Sequence, residues 1–227
     1  IIHTSQLAEA AAVADADADG MRALRALPRS ARARSLATSA ELPRSARAVV
    51  VGGGVVGTSV AYNLARRGWK DVILLEKSSL TSGTTWHAAG LVGQLRATKI
   101  ETMISAEAVD VYSRLEEETG QATGFKQCGS LTTAQTADRF EVMKRNAARA
   151  RSYGLEAELF TPSECNEKMG GLLRTDDLVG GLWLPGDGSG SPTDLTMSFA
   201  AGARQLGVSI FEGVGVRGFR TASVGGG

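Results

Sequence analysis

The sequence predicts an α/β fold organised around a parallel βαβ unit, and three observations carry that prediction. Ala48-Val49-Val50-Val51 is a short β-branched run broken by Gly52-Gly53-Gly54, the pattern of a strand buried on both faces. Val56, Val60, Leu64 and Ala65 then recur at helical spacing up to a stop at Gly68. Val72-Ile73-Leu74-Leu75 is a second buried run, closed by Glu76. Strand, glycine turn, helix and strand in this order form a unit whose crossover is right-handed almost without exception.

The segments before this unit do not read as part of it. Residues 1–20 contain the acidic run Ala14-Asp15-Ala16-Asp17-Ala18-Asp19-Gly20, lack aromatics and have little to bury, so they read as a disordered leader or an upstream artefact. At Met21 the composition changes. Arg22, Arg25, Arg29, Arg32, Arg34, Arg44 and Arg47 stand against the single acid Glu41, with Ser30, Ser35, Thr38 and Ser39 between them. Arg-rich, Ser-rich and acid-poor is the composition of a mitochondrial transit peptide, assigned here to 21–45 with Met21 as the start. Ile1 in place of Met, and Gly225-Gly226-Gly227 directly after a predicted strand, read as the ends of an incomplete gene product.

The globular pattern runs over 46–220, leaving 221–227 as a tail. Beyond Gly90, the residues Ile100, Met103, Ile104, Ala108, Val111 and Leu115 mark one face of an amphipathic helix ending at Gly120. Ser130 to Ala134 reads as a strand, and Phe140, Met143, Ala147 and Ala150 as a helix stopped near Gly154. Thr161-Pro162-Ser163-Glu164 is a capping box with Pro at the first helical position. Leu178 to Leu184 reads as a strand closed by the turn Pro185-Gly186-Asp187-Gly188. A helix over Asp194 to Leu206 and a strand over Val208 to Phe211 complete the predicted order. The whole is a Rossmann-like dinucleotide-binding domain followed by the beginning of a mixed-sheet substrate domain.

Composition narrows the partners. The 227 residues carry a net charge of +1 and are 43% apolar, enough for one substantial core. No basic patch interleaved with aromatics points to nucleic acid. No apolar run approaches the roughly 18 residues of a membrane-spanning helix. Cys128 and Cys165 are the only cysteines and form no CxxC pair, so neither a disulfide framework nor a metal site is expected. Free thiols suit the cytosol or the mitochondrial matrix.

Gly52, Gly54 and Gly57 form a GxGxxG motif between a predicted strand and a predicted helix. The first glycine permits the tight turn, the second lets the backbone approach a pyrophosphate, and the third lets the helix lie close to the strand. The helix that follows aims its unsatisfied amides at phosphate charge. Glu76 ends the next strand, where a carboxylate accepts hydrogen bonds from ribose hydroxyls and disfavours a 2′-phosphate. After Glu76, the stretch Leu80-Thr81-Ser82-Gly83-Thr84-Thr85-Trp86-His87-Ala88-Ala89-Gly90-Leu91 is dense in small and hydroxylated residues. Such a segment can run beneath a large cofactor, which favours FAD over NAD; its bland alternative is a surface loop with a capped helix start.

The run from Ala48 to Val92, in VVVGGGVVGTSVAYNLARRG, VILLEK and LTSGTTWHAAGLV, resembles the sarcosine dehydrogenase and dimethylglycine dehydrogenase family of the glycine/D-amino acid oxidase-like flavoproteins. The likeness continues more weakly through EEETG, LPGDG and LTMSFAAGARQLG. The resemblance implies FAD carried covalently by His87, the histidine of the WHAAG motif. It places Val55 and Val56 against the pyrophosphate, Glu76 and Lys77 near the adenosine, and Gly83, Thr84, Thr85, Trp86, Ala88, Ala89, Gly90 and Leu91 around the flavin. Val216, in Gly215-Val216-Arg217-Gly218-Phe219, matches a residue whose backbone contacts adenine. The implied chemistry is hydride transfer from an N-methyl group of a small amino acid, sarcosine or dimethylglycine, to the flavin. Folate captures the one-carbon unit in whole members of the family, and an electron-transfer flavoprotein takes the electrons in the mitochondrial matrix. No catalytic base is assigned. The alternative is a non-catalytic paralogue like the pyruvate dehydrogenase phosphatase regulatory subunit, which the Gly57 to Asp71 stretch resembles equally well. That protein lacks the WHAAG histidine, so His87 argues for the enzyme. An unrelated NAD-dependent dehydrogenase is disfavoured by the GTTWH segment.

Overall fold

A computed structural model describes residues 42–221 of the chain. The leader 1–20, all but the last four residues of the basic segment 21–45, and all but the first residue of the tail 221–227 lie outside the described residues. In chain order the elements begin with β1 (Ala48–Val51), α1 (Val55–Arg66), β2 (Val72–Glu76) and a 3-10 helix (Thr85–His87). They continue with β3 (Leu91–Val92), α2 (Lys99–Thr119), β4 (Ser130–Ala134), α3 (Ala137–Ser152), β5 (Glu158–Phe160) and α4 (Pro162–Lys168). The last are β6 (Gly180–Leu184), β7 (Gly188–Ser189), α5 (Pro192–Gln205) and β8 (Ser209–Glu212). The chain divides into two units, one formed by Ile1–Thr85 with Phe199–Gly227 and the other by Trp86–Ser198. The second is thus an insertion in the sequence of the first.

The first unit holds a parallel sheet in the order β1-β2-β8. Ala48 lies opposite Val72, and Glu76 opposite Glu212. The central strand, β2, is buried at Val72, Ile73, Leu74 and Glu76, because a parallel strand between two neighbours and two covered faces needs a continuous apolar run. Ala46, Val49 and Ile73 form a core cluster against which Leu75 and Phe211 pack. From α1, Ala61, Tyr62 and Ala65 are buried, with the Tyr62 ring 5.6 Å from that of Phe199. The helix stops where the sequence places its stop signal: Gly68 takes φ +83°, a left-handed conformation favouring glycine.

In the second unit β4, β6 and β5 form an antiparallel sheet with β6 central. The face under α3 gathers Met143, Ala147 and Ala150 with Ala134, Ala157 and Leu182, the stripe expected from the helical spacing. The capping box forms: the Thr161 hydroxyl accepts from the Glu164 amide, and the Glu164 carboxylate accepts from the Thr161 amide at 2.7 Å. Among the described residues no helix is long and apolar enough to cross a membrane.

One predicted face is corrected. Ile100, Met103 and Ile104, read as the buried stripe of α2, are exposed, whereas Thr102, Val109, Leu115 and Thr119 are buried. The reason lies in the threonines. The Thr102 hydroxyl donates to the Thr98 carbonyl at 2.8 Å, and that of Thr119 to the Leu115 carbonyl at 2.7 Å. With the hydroxyl satisfied inside the helix, threonine enters the core at little cost, and a pattern counted on aliphatic residues is rotated away from the true one. The short strands β3, β5 and β7 are not foreseen, and β6 starts at Gly180 rather than Leu178.

Candidate functional site

Each glycine of the turn after β1 has its own physical reason. Gly52 sits at φ +104° with open space around its missing side chain, so its requirement is conformational. A Cβ at Gly57 would collide with the Gly52 carbonyl oxygen, and it would meet Val50 Cγ1 at 3.5 Å. Hence the helix lies close to the strand only because Gly57 has no side chain, as the motif predicts. At Gly54, a Cβ would stand 2.8 Å from Thr85 Oγ1. Gly53, to which the motif assigns nothing, is also crowded: a Cβ there would stand 2.6 Å from Leu80 Cδ2 and 3.0 Å from Glu76 Cβ.

The helix that leaves this turn has an open N-terminus. Gly54 caps it without a side-chain hydrogen bond, and its first turn carries no acidic residue. The Val55 amide donates to Thr85 Oγ1 at 3.1 Å. The next amides, of Val56 and Gly57, have no intrahelical acceptor by the geometry of a helix start, and Val56 is 74% exposed. Donors aimed outward at the positive end of a helix dipole make a receptor for an anionic group.

Glu76 is buried at the end of β2. Its Oε2 accepts from the Gly53 amide at 2.6 Å and its Oε1 from the Ser78 amide at 2.8 Å. A carboxylate offers about four acceptor positions, so these two bonds fix its orientation and leave capacity for hydroxyl donors. The end of β8 comes to the same place. The Val214 amide donates to the Glu76 carbonyl at 2.8 Å, the Gly213 amide to the Ser78 carbonyl at 2.9 Å, and the Leu80 amide to Glu212 Oε2 at 2.8 Å. The segment carrying Val216 therefore leaves β8 beside Glu76 and Lys77. Thr81 adopts φ +71°, rare for a β-branched residue, with its amide donating to the Gly53 carbonyl at 3.1 Å.

The hydroxylated segment is largely exposed. Gly83, Thr84, His87, Ala88 and Ala89 face solvent, Trp86 is 58% exposed and Leu91 82%. The Trp86 and His87 rings lie 3.9 Å apart between centroids, tilted by 35°. His87 is thus a surface imidazole rather than a core histidine. After it the chain is tied down: β3 pairs antiparallel with β7, Leu91 opposite Ser189 and Val92 opposite Gly188, and the Gly190 amide donates to the Gly90 carbonyl at 2.9 Å.

A glycine turn with an uncapped helix behind it and a carboxylate ending the adjacent parallel strand is a nucleotide-type site, and the comparison with known proteins specifies it. Residues 47–227 match the family model described as FAD dependent oxidoreductase. The chain belongs to that family. Within it, the relatives include the mitochondrial dimethylglycine dehydrogenase of Rattus norvegicus, 44% identical over 72% of this chain and 19% of the relative. The mitochondrial sarcosine dehydrogenase of Homo sapiens is 40% identical over 80% of the chain and 20% of the relative. The mitochondrial pyruvate dehydrogenase phosphatase regulatory subunit of Mus musculus is 38% identical over 81% and 21%. The chain spans about a fifth of the length of these relatives. Among solved structures, L-proline dehydrogenase from P. horikoshii superposes with a TM-score of 0.75 at 30% identity, over 80% of this chain and 48% of that one. The resemblance read from the sequence is therefore to the family this FAD-dependent oxidoreductase chain belongs to.

Gly53, Thr81 and Glu212 belong to the site without belonging to the GxGxxG motif or its acidic partner. Gly53 could have been found from the third consecutive glycine of the GGG run. Nothing in the sequence marks Glu212, whose role arises from long-range pairing, and Thr81 stands in the hydroxylated segment with no sign of its left-handed backbone.

Proposed function

We propose that this chain is the FAD-binding part of a dehydrogenase that oxidatively demethylates a small N-methylated amino acid. The observation that carries the reading is Thr85. Its hydroxyl accepts from the first amide of α1 behind the glycine turn, and the next two residues along the chain are the exposed Trp86 and His87. Thr85 thus bonds the anion-binding turn and, along the sequence, stands two residues before the imidazole that would hold the flavin ring.

In this reading Gly52, Gly54, Val55, Val56 and Gly57 receive the diphosphate, with backbone amides as donors. Glu76 takes the ribose hydroxyls, with Lys77 and Val216 at the adenosine. Gly83, Thr84, Thr85, Trp86, Ala88, Ala89, Gly90 and Leu91 line the flavin, and the exposed apolar surface of Trp86 and Leu91 is covered when it is bound. His87 carries it covalently. Bound flavin would supply the redox chemistry for oxidising the N-methyl carbon of the substrate, and water would then release formaldehyde and the demethylated amine. The electron acceptor is an electron-transfer flavoprotein, with folate taking up the one-carbon unit, and the location is the mitochondrial matrix. Three relatives bearing mitochondrial names and the basic composition of 21–45 support that location.

The similarity to the phosphatase regulatory subunit supports a second, non-catalytic reading; against it stands His87. Acid denaturation of the purified full-length protein separates the two. The dehydrogenase reading expects yellow colour to stay with the polypeptide in wild type and to leave with the supernatant in His87→Ala. A folded, colourless protein that takes up no added FAD overturns it.

A further inference from the structure

Asp187 belongs to the turn between β6 and β7, where the sequence shows nothing beyond a turn. It is only 5% exposed. Among the described residues no lysine or arginine forms an ion pair with it, so the whole stabilisation of a buried carboxylate falls on hydrogen bonds. Its Oδ1 accepts from the Gln94 amide at 2.8 Å and its Oδ2 from the Ser130 hydroxyl at 2.6 Å. Its carbonyl accepts from the Gly129 amide at 2.8 Å.

These bonds close a clamp on the chain that follows His87. Gly90 is fixed by the Gly190 amide, Leu91 and Val92 by pairing with Ser189 and Gly188, and Gln94 by the Asp187 carboxylate. The strips meet too closely for side chains, since a Cβ at Gly90 would collide with the Gly190 carbonyl oxygen and one at Gly188 with the Lys126 carbonyl oxygen. The strip 187–190 is anchored in turn. Lys126 and Ser189 exchange backbone hydrogen bonds at 2.7 and 2.9 Å, and Asp187 holds Gly129 and Ser130 at the start of β4. The Asp187 carboxylate binds both segments at once, accepting from Gln94 on one and from Ser130 on the other.

We propose that Asp187 is a positioning residue for the His87 segment: by holding Gln94 to the start of β4, it fixes the downstream end of the strip on which the flavin-bearing imidazole stands. The inference rests on the function proposed above, but its first consequence is independent of flavin.

The test compares full-length wild type with Asp187→Ala, Asp187→Asn and Ser130→Ala by hydrogen exchange and by the rate at which acid-stable flavin accumulates on apoprotein mixed with FAD. Asp187→Ala should accelerate exchange at the Gln94 amide and slow attachment roughly 10- to 100-fold, the usual consequence of a misplaced reacting group. Asp187→Asn should restore both. Its amide oxygen can accept from Gln94, and its NH2 can donate to a Ser130 hydroxyl that reverses its role. Ser130→Ala leaves the Gln94 bond intact and should stay within about threefold of wild type. Wild-type exchange at Gln94 in Asp187→Ala, or attachment at the wild-type rate, overturns the proposal. If Asp187→Ala does not fold, Gln94→Pro, which removes the donor while also fixing φ at that position, must reproduce the slow attachment where Gln94→Ala, which keeps the amide, does not, or the proposal fails. Wild type without acid-stable flavin refutes the parent reading of His87, while the exchange comparison still judges the clamp.

Discussion

Two buried carboxylates hold the two units' glycine-rich segments in place, and they do so over different spans of chain. Glu76 in the first unit accepts from the Gly53 amide, 23 residues away, and from Ser78, 2 residues away. Asp187 in the second accepts from the Gln94 amide, 93 residues away, and from the Ser130 hydroxyl, 57 residues away. Both lie beside glycines that tolerate no side chain. The difference is in the partners. Glu76 faces two backbone amides, which only donate, whereas Asp187 faces one amide and one hydroxyl, which can donate or accept. The first carboxylate is therefore required as a carboxylate, and the second as a shape with one acceptor in the right place.

The largest effects should come from the glycines around them. Gly57→Ala drives a methyl group into the Gly52 carbonyl oxygen, a backbone atom that cannot swing aside as a side-chain end can. The expected loss is about 3 kcal/mol, the upper part of the range for overpacked sites, and bound flavin should be lost with it. Gly90→Ala should cost at least as much, because collision with the Gly190 carbonyl adds to a φ of +74°, itself unfavourable by about 1–2 kcal/mol for other residues. Urea unfolding of the two variants measures both. A loss at Gly90 well below that at Gly57 would mean the long-range clamp yields where the local turn does not.

The carboxylates themselves come next. Glu76→Gln must turn an NH2 group toward one of two amide donors, so one buried hydrogen bond becomes a repulsion. About 1.5–3 kcal/mol of stability should disappear, the value of a hydrogen bond to a charged group. Asp187→Asn should cost under about 1 kcal/mol, since both its bonds survive once the Ser130 hydroxyl reverses. Equal losses in the two variants would remove the distinction between them.

This contrast also explains what could be read from the chain beforehand. The βαβ unit, its glycine turn and Glu76 were legible because strand, turn, helix and strand follow one another, and each element is recognised by its own periodicity. The turn at Asp187 was legible only as a turn. Nothing in Pro185-Gly186-Asp187-Gly188 tells which distant amide its carboxylate will meet, and strands of two residues such as β3 and β7 carry no alternation. The buried face of α2 departs from the aliphatic stripe at Ile100, Met103 and Ile104 because Thr102 and Thr119 bury as well as aliphatic residues once their hydroxyls bond within the helix. His87 was found by resemblance alone; its surroundings, an exposed 3-10 helix stacked on Trp86, could not be inferred from spacing.

A third carboxylate sets the short-range limit of the series. Glu164 accepts from the Thr161 amide, 3 residues away, and from the Thr161 hydroxyl at 2.8 Å, and it is exposed. These bonds, the amide first, hold its carboxyl below the usual carboxylate range. A group whose folded value is depressed gives its full contribution above the unfolded value and loses it as pH falls through the folded one. The cap on α4 should therefore be intact at neutral pH and loosen only on acidification below the ordinary glutamate range. Amide exchange at Thr161, followed against pH, reads this directly: protection should fall with acid in wild type and be lower and nearly flat in Glu164→Gln. Because both partners are solvated, global stability should move less than in any variant above. An acid transition in this segment that persists unchanged in Glu164→Gln would assign it to another group and break the series at its local end.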